Sequence, residues 1–195
     1  MSVFSQGSRL TSSEPLTTLI RRSQALQTGH FQLASGLHAS RFFRAILLLQ
    51  DPIAADPLFD RLAERFCGEG VDLVLGANAA GSILAFEVAR RLGCSILIAQ
   101  EQEQRYRLME GFAISQGCRV LVVDDVTTTG GTAKQLLGLV RSAQGIPVGV
   151  GLIATKGLFQ VDLGCRTEVL LPLEGMDAYP AQDCPLCQQG IPLTR

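Results

Sequence analysis

An acidic pair followed by a run of threonine and glycine is the part of the sequence best suited to ligand chemistry. Asp124 and Asp125 follow an apolar run, and the residues after them include Thr127, Thr128, Thr129, Gly130, Gly131 and Thr132. Adjacent carboxylates can accept hydrogen bonds from ligand hydroxyls, or hold Mg²⁺ through water. Glycines let backbone N–H groups turn towards a ligand, and the N-terminus of a following helix favours an anion. The segment therefore predicts a site for a sugar phosphate.

Two other interpretations of this segment are open from the residues alone. A Gly/Thr-rich turn before a helix is often only a turn with an N-cap, and an acidic pair at a strand end also occurs in metal-binding signalling domains. The nucleotide loops G-x-x-x-x-G-K-[ST] and G-x-G-x-x-G are absent from the sequence. A signalling receiver has no use for the Thr/Gly run, so phosphate binding is favoured.

The elements that must position this segment alternate between strands and helices. Predicted strands cover residues 71–75, 95–99, 119–123, 147–154 and 168–173. Helices are predicted from Asp56-Pro57 to about Gly68, from Ser82 to Leu92, and from the Thr/Gly run to about Ser142. This alternation predicts an α/β fold with a parallel sheet and helices on both faces. Ligand sites of such sheets lie beyond the carboxyl ends of the strands, where loops 76–82, 99–111 and 124–132 meet.

The two ends of the chain follow other patterns. Residues 15–27 predict a short helix that ends at Gly29, and residues 31–49 predict extended structure broken by Ser35-Gly36. Residues 100–110 lack a period and predict a loop. From about Gly175 the sequence is rich in turn residues and is expected to wrap the domain.

Composition excludes several classes of protein. The chain has 195 residues, a net charge of −1, 47% hydrophobic and 18% charged residues. It lacks the basic footprint of a nucleic-acid binder. Its apolar runs are far shorter than the ~18 residues of a membrane span, and residues 1–13 lack the apolar core of a secretory signal. We therefore expect a cytoplasmic protein that binds neither nucleic acid nor membrane.

Six cysteines include one closely spaced pair, Cys184 and Cys187. A structural zinc site needs four ligands. No second C-x-x-C pair exists, and the histidines, His30 and His38, lie far upstream. A structural tail or a redox-labile pair is therefore favoured over a metal site.

Three segments carry a resemblance to a known family. The residues from Val122 to Thr132 resemble the phosphoribosyl-pyrophosphate (PRPP) motif of the type I phosphoribosyltransferases. The segment 31–36, with Ser40 and Phe42-Phe43 after it, resembles the N-terminal part of the orotate phosphoribosyltransferases. Residues 184–187 and 190–193 resemble the C-terminus of some bacterial members. The resemblance covers the chain from about Pro15 to Leu193.

The resemblance implies a fold, an assembly and a reaction. One domain, residues 1–195, would have a parallel-sheet core over about 51–173 and a small hood over about 15–50 and 174–195. Members are typically homodimers. A pyrimidine nitrogen, that of orotate, would displace pyrophosphate from the anomeric carbon of PRPP in the presence of Mg²⁺. The transition state is oxocarbenium-like, so catalysis depends on positioning and on cations that neutralise the leaving group.

The resemblance also implies roles for individual residues. Asp124 and Asp125 would hold the ribose hydroxyls with Mg²⁺ nearby, and residues 127–132 would cradle the 5-phosphate. The pyrophosphate would lie against Ala79, Ala80 and Gly81. The residues that would line the base pocket are Phe42, Phe43 and Lys156, of which the phenylalanines could equally be core residues.

The expected cations are partly missing. Ala34 and the stretch 100–103 stand where the family carries Lys or Arg, and Lys156 replaces an Arg. Residues 99–110 hold Arg105 and Arg107 against three glutamates, a net charge of 2 − 3 = −1. Two hypotheses follow. In one, Arg105 and Arg107 supply the catalytic cations; in the other, the chain is a PRPP or nucleotide sensor without transferase activity.

Overall fold

The computed structural model describes residues 16–33, 35–156 and 159–194. The predicted helix start at Pro15, the polar segment 1–13 and Ala34 lie outside the described residues. In the described part of the chain, no helix has the length and apolar character needed to cross a membrane.

Nine strands form two sheets in the described part of the chain. The strands of the large sheet are β3 (Leu73–Ala77), β4 (Ser95–Gln102), β5 (Arg105–Leu108), β6 (Arg119–Thr127), β7 (Ile146–Lys156) and β8 (Thr167–Leu173). Their order is β5-β4-β3-β6-β7-β8, with β5 antiparallel at one edge and all other neighbours parallel. The small antiparallel sheet consists of β1 (Leu26–Gln32), β2 (His38–Phe43) and β9 (Ala178–Tyr179), in that order.

Helices cover both faces of the large sheet, as the sequence predicts. They are α1 (Leu16–Ser23), α2 (Ile46–Leu49), α3 (Pro52–Glu64), α4 (Asn78–Leu92) and α5 (Gly131–Ser142), while α6 (Pro185–Gln188) lies in the C-terminal segment. Helices α1 to α4 share one apolar core with Val74, Leu121 and Ile153, whereas α5 packs on the other face against Val122 and Leu152. The α/β fold class is confirmed. The boundaries between hood and core stay a prediction.

Three predicted boundaries are wrong for local reasons. Helix α3 begins at the earlier Asp-Pro pair: the Asp51 carboxylate accepts N–H groups of Ile53 and Ala54, each at 3.1 Å, and Pro57 lies inside the helix. The first helix ends at Ser23, and Gly29 lies within β1. Residues 46–49, predicted as extended, form α2, whose Leu48 and Leu49 are buried in the core.

Helix α4 follows β3 without the predicted loop at 77–81 because the backbones approach very closely there. A Cβ on Gly76 would lie 1.9 Å from the carbonyl oxygen of Gly81. Gly81 itself packs against Gly76 and the carbonyl of Val123 in β6. A glycine at position 76 therefore lets the first turn of α4 rest on the carboxyl edge of the sheet.

Substituting Gly76 should test this contact. Gly76→Ala forces the first turn of α4 away from the sheet, and we expect a loss of about 3 kcal/mol in the free energy of unfolding. The matched control is Gly138→Ala within α5, where a Cβ meets no atom within 4 Å. That change should be neutral or stabilising by up to about 1 kcal/mol. Equal effects in urea titrations would contradict the assigned role of Gly76.

Candidate active site

The acidic pair lies at the carboxyl edge of the large sheet, within β6 rather than after it. The predicted strand ends at Val123, but pairing with β7 continues through Asp124↔Leu152 to Thr127↔Thr155. Gly76 of β3 pairs with Val123 of β6 on one side and with Ile98 of β4 on the other. Asp124 is therefore one residue closer to the carboxyl edge of the sheet than the row formed by Ile98, Gly76 and Val123. This places it next to the start of α4.

Asp124 is a buried carboxyl group beside a second one. It is 6% exposed, and its Oδ1 accepts the backbone N–H of Asp125 at 3.0 Å. The half-buried Asp125 accepts the N–H of Val126 at 2.8 Å. Burial raises the pKa of Asp124 to about 7, and the adjacent Asp125 charge adds to the rise. A bound cation, or ligand hydroxyls that donate to the pair, would favour the ionised form.

The turn after β6 is shaped by its own residues. The Oγ1 of Thr127, which is buried, accepts the N–H of Gly130 at 2.8 Å. Gly130 has a φ of +72°, and a Cβ there would meet Leu163 at 3.1 Å and Phe159 at 3.3 Å. The positive φ favours glycine at this position, and a Cβ would also lie tightly against these two side chains.

The same turn leaves donors facing solvent. Thr128, Thr129 and Gly131 are exposed, and Thr132 is half-buried. Gly130, at the N-cap of helix α5, has no side chain that could accept the first N–H groups of the helix. Together with the partial positive charge of the helix N-terminus, they form a site that suits a phosphate.

An open cleft lies beside this edge, between α4 and the strands β4 and β5. Its volume is about 530 Å³, and its lining residues are Asn78, Ala79, Ser82, Ile98, Gln100, Glu101 and Met109. Of the predicted pyrophosphate residues, Ala79 lines the cleft, Ala80 packs against the core and Gly81 is buried. All three lie in the first turn of α4 rather than in a loop.

Residues 100–110 are a hairpin rather than the predicted loop. Strand β4 continues to Gln102, and β5 pairs with it through Gln100↔Arg107 and Gln102↔Arg105. Paired residues of adjacent strands project from the same face. Arg107 therefore lies on the face that carries Gln100, a cleft residue, and Arg105 lies on the same face as Arg107.

Both arginines of the hairpin are exposed. Among the ion pairs formed within the described ranges, none includes Arg105 or Arg107. Their guanidinium groups are thus available to an anionic ligand. On the opposite face of β5, Tyr106 packs with the α5 core and its hydroxyl accepts a hydrogen bond from Asn78 Nδ2 at 3.0 Å.

The three predicted base-pocket residues have different surroundings. Phe43 is 5% exposed and belongs to the core shared with α1 to α4. Phe42 is half-buried, with its ring 5.6 Å from that of Phe31 and with the Arg44 guanidinium 5.4 Å from its centroid. Lys156 ends β7 and is half-buried. Phe42 is therefore the phenylalanine of this pair that a ligand can reach more easily.

Three site residues were not anticipated from the sequence: Asn78, Ser82 and Tyr106. Asn78 has a φ of +54° at the junction of β3 and α4, and the Ser82 hydroxyl donates to its carbonyl oxygen. An asparagine directly after a strand is the signal that could have indicated this junction, because asparagine tolerates a left-handed conformation.

Solved structures with the same architecture include several phosphoribosyltransferases. Orotate phosphoribosyltransferase from Aeropyrum pernix superposes with a TM-score of 0.71 and 25% identity, over 82% of this chain and 94% of that one. Adenine phosphoribosyltransferase from Rhodothermus marinus superposes with a TM-score of 0.66 and 23% identity, over 81% and 99%. The fold is thus that of the type I phosphoribosyltransferases.

Curated relatives narrow this class further. Orotate phosphoribosyltransferase from Pelotomaculum thermopropionicum is 40% identical over 182 residues, and that from Caldanaerobacter subterraneus subsp. tengcongensis is 38% identical over the same length. Each alignment covers 93% of this chain and 95% of the relative. No protein-family model matches the chain. The chain belongs to the orotate phosphoribosyltransferase family, which confirms the predicted family and enzyme class.

The raised pKa of Asp124 predicts a pH-dependent stability. Because this pKa lies above the ordinary 3.8, the stability linked to Asp124 is fully present below about pH 4 and is lost as the pH rises through about 7. Asp124→Asn removes the ionisation. We expect it to raise the free energy of unfolding by about 1–3 kcal/mol at pH 8 and to change it little at pH 4.

Urea titrations at the two pH values measure this difference. The control, Asp177→Asn, replaces an exposed carboxylate and should show no such pH dependence. An Asp124→Asn protein that is destabilised equally at both pH values would contradict the assigned environment of Asp124.

Proposed function

We propose that this protein transfers ribose 5-phosphate from PRPP to orotate, which gives orotidine 5′-phosphate and pyrophosphate in pyrimidine nucleotide biosynthesis. The observation that carries the proposal is the acidic pair in β6, followed at once by an uncapped helix N-terminus with exposed threonines. The curated relatives carry the name of this activity. The alternative, a sensor without transferase activity, is not favoured by these relatives.

The sugar phosphate would bind across the turn between β6 and α5. Asp124 and Asp125 accept hydrogen bonds from the ribose hydroxyls, which the neutral form of a carboxyl group could do only in part. The N–H groups at the start of α5 and the exposed hydroxyls of Thr128 and Thr129 donate to the 5-phosphate. Thr127 has a supporting role, because its Oγ1 already accepts the N–H of Gly130.

The leaving pyrophosphate would lie in the cleft beside α4. During transfer the bond from the anomeric carbon to the pyrophosphate oxygen breaks while the bond to the pyrimidine nitrogen forms. Arg105 and Arg107 are on the cleft face of the hairpin and would neutralise the charge that develops on the pyrophosphate. Glu101 also lines the cleft, and its negative charge would offset part of the positive charge of the two arginines. A further cation is therefore needed to neutralise the pyrophosphate.

Mg²⁺ fits this requirement. The adjacent carboxylates of Asp124 and Asp125 are hard oxygen ligands of the kind that Mg²⁺ prefers, and burial of Asp124 makes an unpartnered pair of charges costly. When bound, Mg²⁺ supplies charge neutralisation at the diphosphate. The chain's own contribution is to hold the ribose hydroxyls and to present the two arginines.

The base would meet one side chain from the small sheet and one from the large sheet. Phe42 is half-buried on β2 and offers a ring face to a planar pyrimidine, and Lys156 at the end of β7 offers a positive charge for the orotate carboxylate. Lysine provides charge without the bidentate geometry of an arginine. Phe43 would support this pocket from the core rather than line it.

Turnover with PRPP, Mg²⁺ and orotate tests the proposal directly. We expect loss of orotate absorbance at ordinary enzymatic rates with the unmodified chain. Asp124→Asn combined with Asp125→Asn should weaken PRPP binding by at least about tenfold in calorimetry, since each lost charge-assisted hydrogen bond contributes about 1.5–3 kcal/mol. If the protein binds PRPP but turns over no pyrimidine base, this result would contradict the transferase hypothesis and support the sensor hypothesis.

The two hairpin arginines should separate catalysis from binding. Arg105→Ala and Arg107→Ala remove cations near the leaving group, and we expect a loss of about 10²–10³-fold in kcat for the more important of the two. PRPP affinity should change much less. Arg65→Ala serves as the control, because Arg65 is exposed just after α3, outside the cleft, and pairs with Glu168. Full activity in both hairpin variants would remove these arginines from the mechanism.

We further propose that the protein works as a cytoplasmic homodimer. Ile83 and Phe86 are exposed and three residues apart on α4, so they form an apolar surface that a second subunit could cover. A reducing compartment suits its six unpaired cysteines. Light scattering that gives the mass of a single chain at micromolar concentration would contradict the dimer.

A further inference from the structure

Four side chains that are far apart in the sequence converge between the small sheet and the C-terminal segment. They are His30 on β1, His38 on β2, and Cys184 and Cys187 at the start of α6. One ligand atom from each lies within 4.8 Å of the other three. We refer to these residues as the His/Cys cluster. Two imidazoles and two thiols are a donor set that binds zinc in structural sites.

The distances within the cluster are close to those of a tetrahedral zinc site. With Zn–N near 2.0–2.1 Å and Zn–S near 2.3 Å, a tetrahedron separates two nitrogens by about 3.3 Å and a nitrogen from a sulfur by about 3.6 Å. His30 Nε2 lies 3.0 Å from His38 Nδ1, 3.5 Å from Cys184 Sγ and 3.6 Å from Cys187 Sγ. His38 Nδ1 lies 3.2 Å from Cys187 Sγ.

A backbone carbonyl orients one imidazole towards the centre of the cluster. His30 Nδ1 donates to the carbonyl oxygen of Ile191 at 2.6 Å, which places the proton on Nδ1 and leaves the Nε2 lone pair facing the other three ligands. Metal-bound histidines characteristically donate their second ring N–H in this way. The Ile191 carbonyl therefore acts as the partner that fixes the tautomer of a ligand.

The backbone around the cysteines forms a tight turn that presents both sulfurs to the cluster. The N–H of Gln188 donates to the carbonyl of Cys184, and that of Gly190 donates to the carbonyl of Cys187. Gly190 has a φ of +68°, which lets the chain reverse so that Ile191 reaches His30. The turn holds the two cysteines on the same side.

Burial shows why this region needs an additional source of stability. His30, His38 and Cys184 are 2%, 6% and 1% exposed. Within residues 174–194, Cys184 is the one buried side chain that the structure describes. A segment that buries so little apolar surface gains little from the hydrophobic effect. Apart from Met176, which packs partly buried against the core, the position of the segment depends on polar contacts and on the cluster.

We propose that His30 Nε2, His38 Nδ1, Cys184 Sγ and Cys187 Sγ bind one Zn²⁺ ion tetrahedrally as a structural site. All four positions are filled by protein, so the site has no open position for a substrate or a water. Mixed thiolate and imidazole ligands in a tetrahedron select zinc over the hard cations Mg²⁺ and Ca²⁺. This site is separate from the proposed Mg²⁺ site at Asp124 and Asp125.

The ion would fasten the C-terminal segment to the β1–β2 hairpin. The same segment pairs β9 with β2 at His38↔Tyr179, and Thr194 exchanges hydrogen bonds with the backbone of His30 at 2.6 and 2.9 Å. Phe42, the candidate base contact, lies on β2 as well. Zinc thus fixes the small sheet that carries one wall of the proposed base pocket.

Metal analysis of the full chain, expressed without a polyhistidine tag and purified under reducing conditions, tests the site. We expect inductively coupled plasma mass spectrometry to find about one zinc ion per chain. Cys184→Ser and Cys187→Ser should each lower the zinc content at least severalfold. Cys67→Ser is the matched control, because Cys67 is exposed and outside the cluster, and it should retain the metal.

A second measurement uses the unmodified chain, so its result does not depend on whether the cysteine variants fold. Exchange of the unmodified chain into Co²⁺ should produce the visible bands of tetrahedral cobalt and a thiolate charge-transfer band. Removing the metal with a chelator should speed proteolysis within residues 174–194, and Zn²⁺ should restore protection. These measurements do not involve PRPP or orotate. Their outcome is therefore independent of whether the protein has the proposed transferase activity.

Several results would overturn the site. One is a chain that holds less than about a tenth of an equivalent of zinc and takes up none when reduced and supplied with Zn²⁺. Another is a Cys184–Cys187 disulfide in the protein as isolated from cells. A zinc content that is equal in Cys184→Ser, Cys187→Ser and the unmodified chain would place the ion elsewhere.

Discussion

The contact between Gly76 and Gly81 sets the geometry on which the candidate active site depends. A side chain at position 76 would overlap the first turn of α4, so glycine allows helix and strand to meet with no intervening loop. The helix therefore begins at the level where β6 presents Asp124. Ala79 and Ser82 face a cleft, and Gly81 touches the backbone of β6. The cleft and the acidic pair are thus held in fixed relation by backbone packing rather than by flexible side chains.

Electrostatics at this edge is unbalanced within the protein alone. Asp124 is buried next to Asp125, which makes its ionised form costly. Arg105 and Arg107 are exposed on the β4–β5 hairpin, which β3 separates from β6, and they form no ion pair in the described ranges. Negative charge is concentrated where ribose hydroxyls would donate, and positive charge stands where pyrophosphate would leave. This arrangement fits a substrate whose ribose hydroxyls lie between a phosphate at one end and a pyrophosphate at the other.

Much of the fold could be predicted because its signals are local. The apolar run 119–123 indicates a strand buried on both faces, and the Thr/Gly run after Asp125 indicates the turn before α5. The β4–β5 hairpin could not be predicted in this way. Its two-residue turn uses Glu103 and Gln104 with φ of +51° and +63°, where the usual sequence signal is asparagine or glycine. The arginines were identified from their charge, but the strand that orients them was not.

The His/Cys cluster shows a different limit of sequence reasoning. The C-x-x-C pair has no second pair near it, and the histidines lie about 150 residues upstream, so spacing argues against a metal. The antiparallel hairpin of β1 and β2 places His30 beside His38, and pairing of β9 with β2 returns the C-terminal segment to the same place. The His/Cys cluster is therefore formed by pairing between strands that are far apart in the sequence, and no local sequence pattern indicates it. The large sheet is held by apolar cores on both faces, whereas the C-terminal segment buries little apolar surface, and a metal ion would be a contact that such a segment can add without a core of its own.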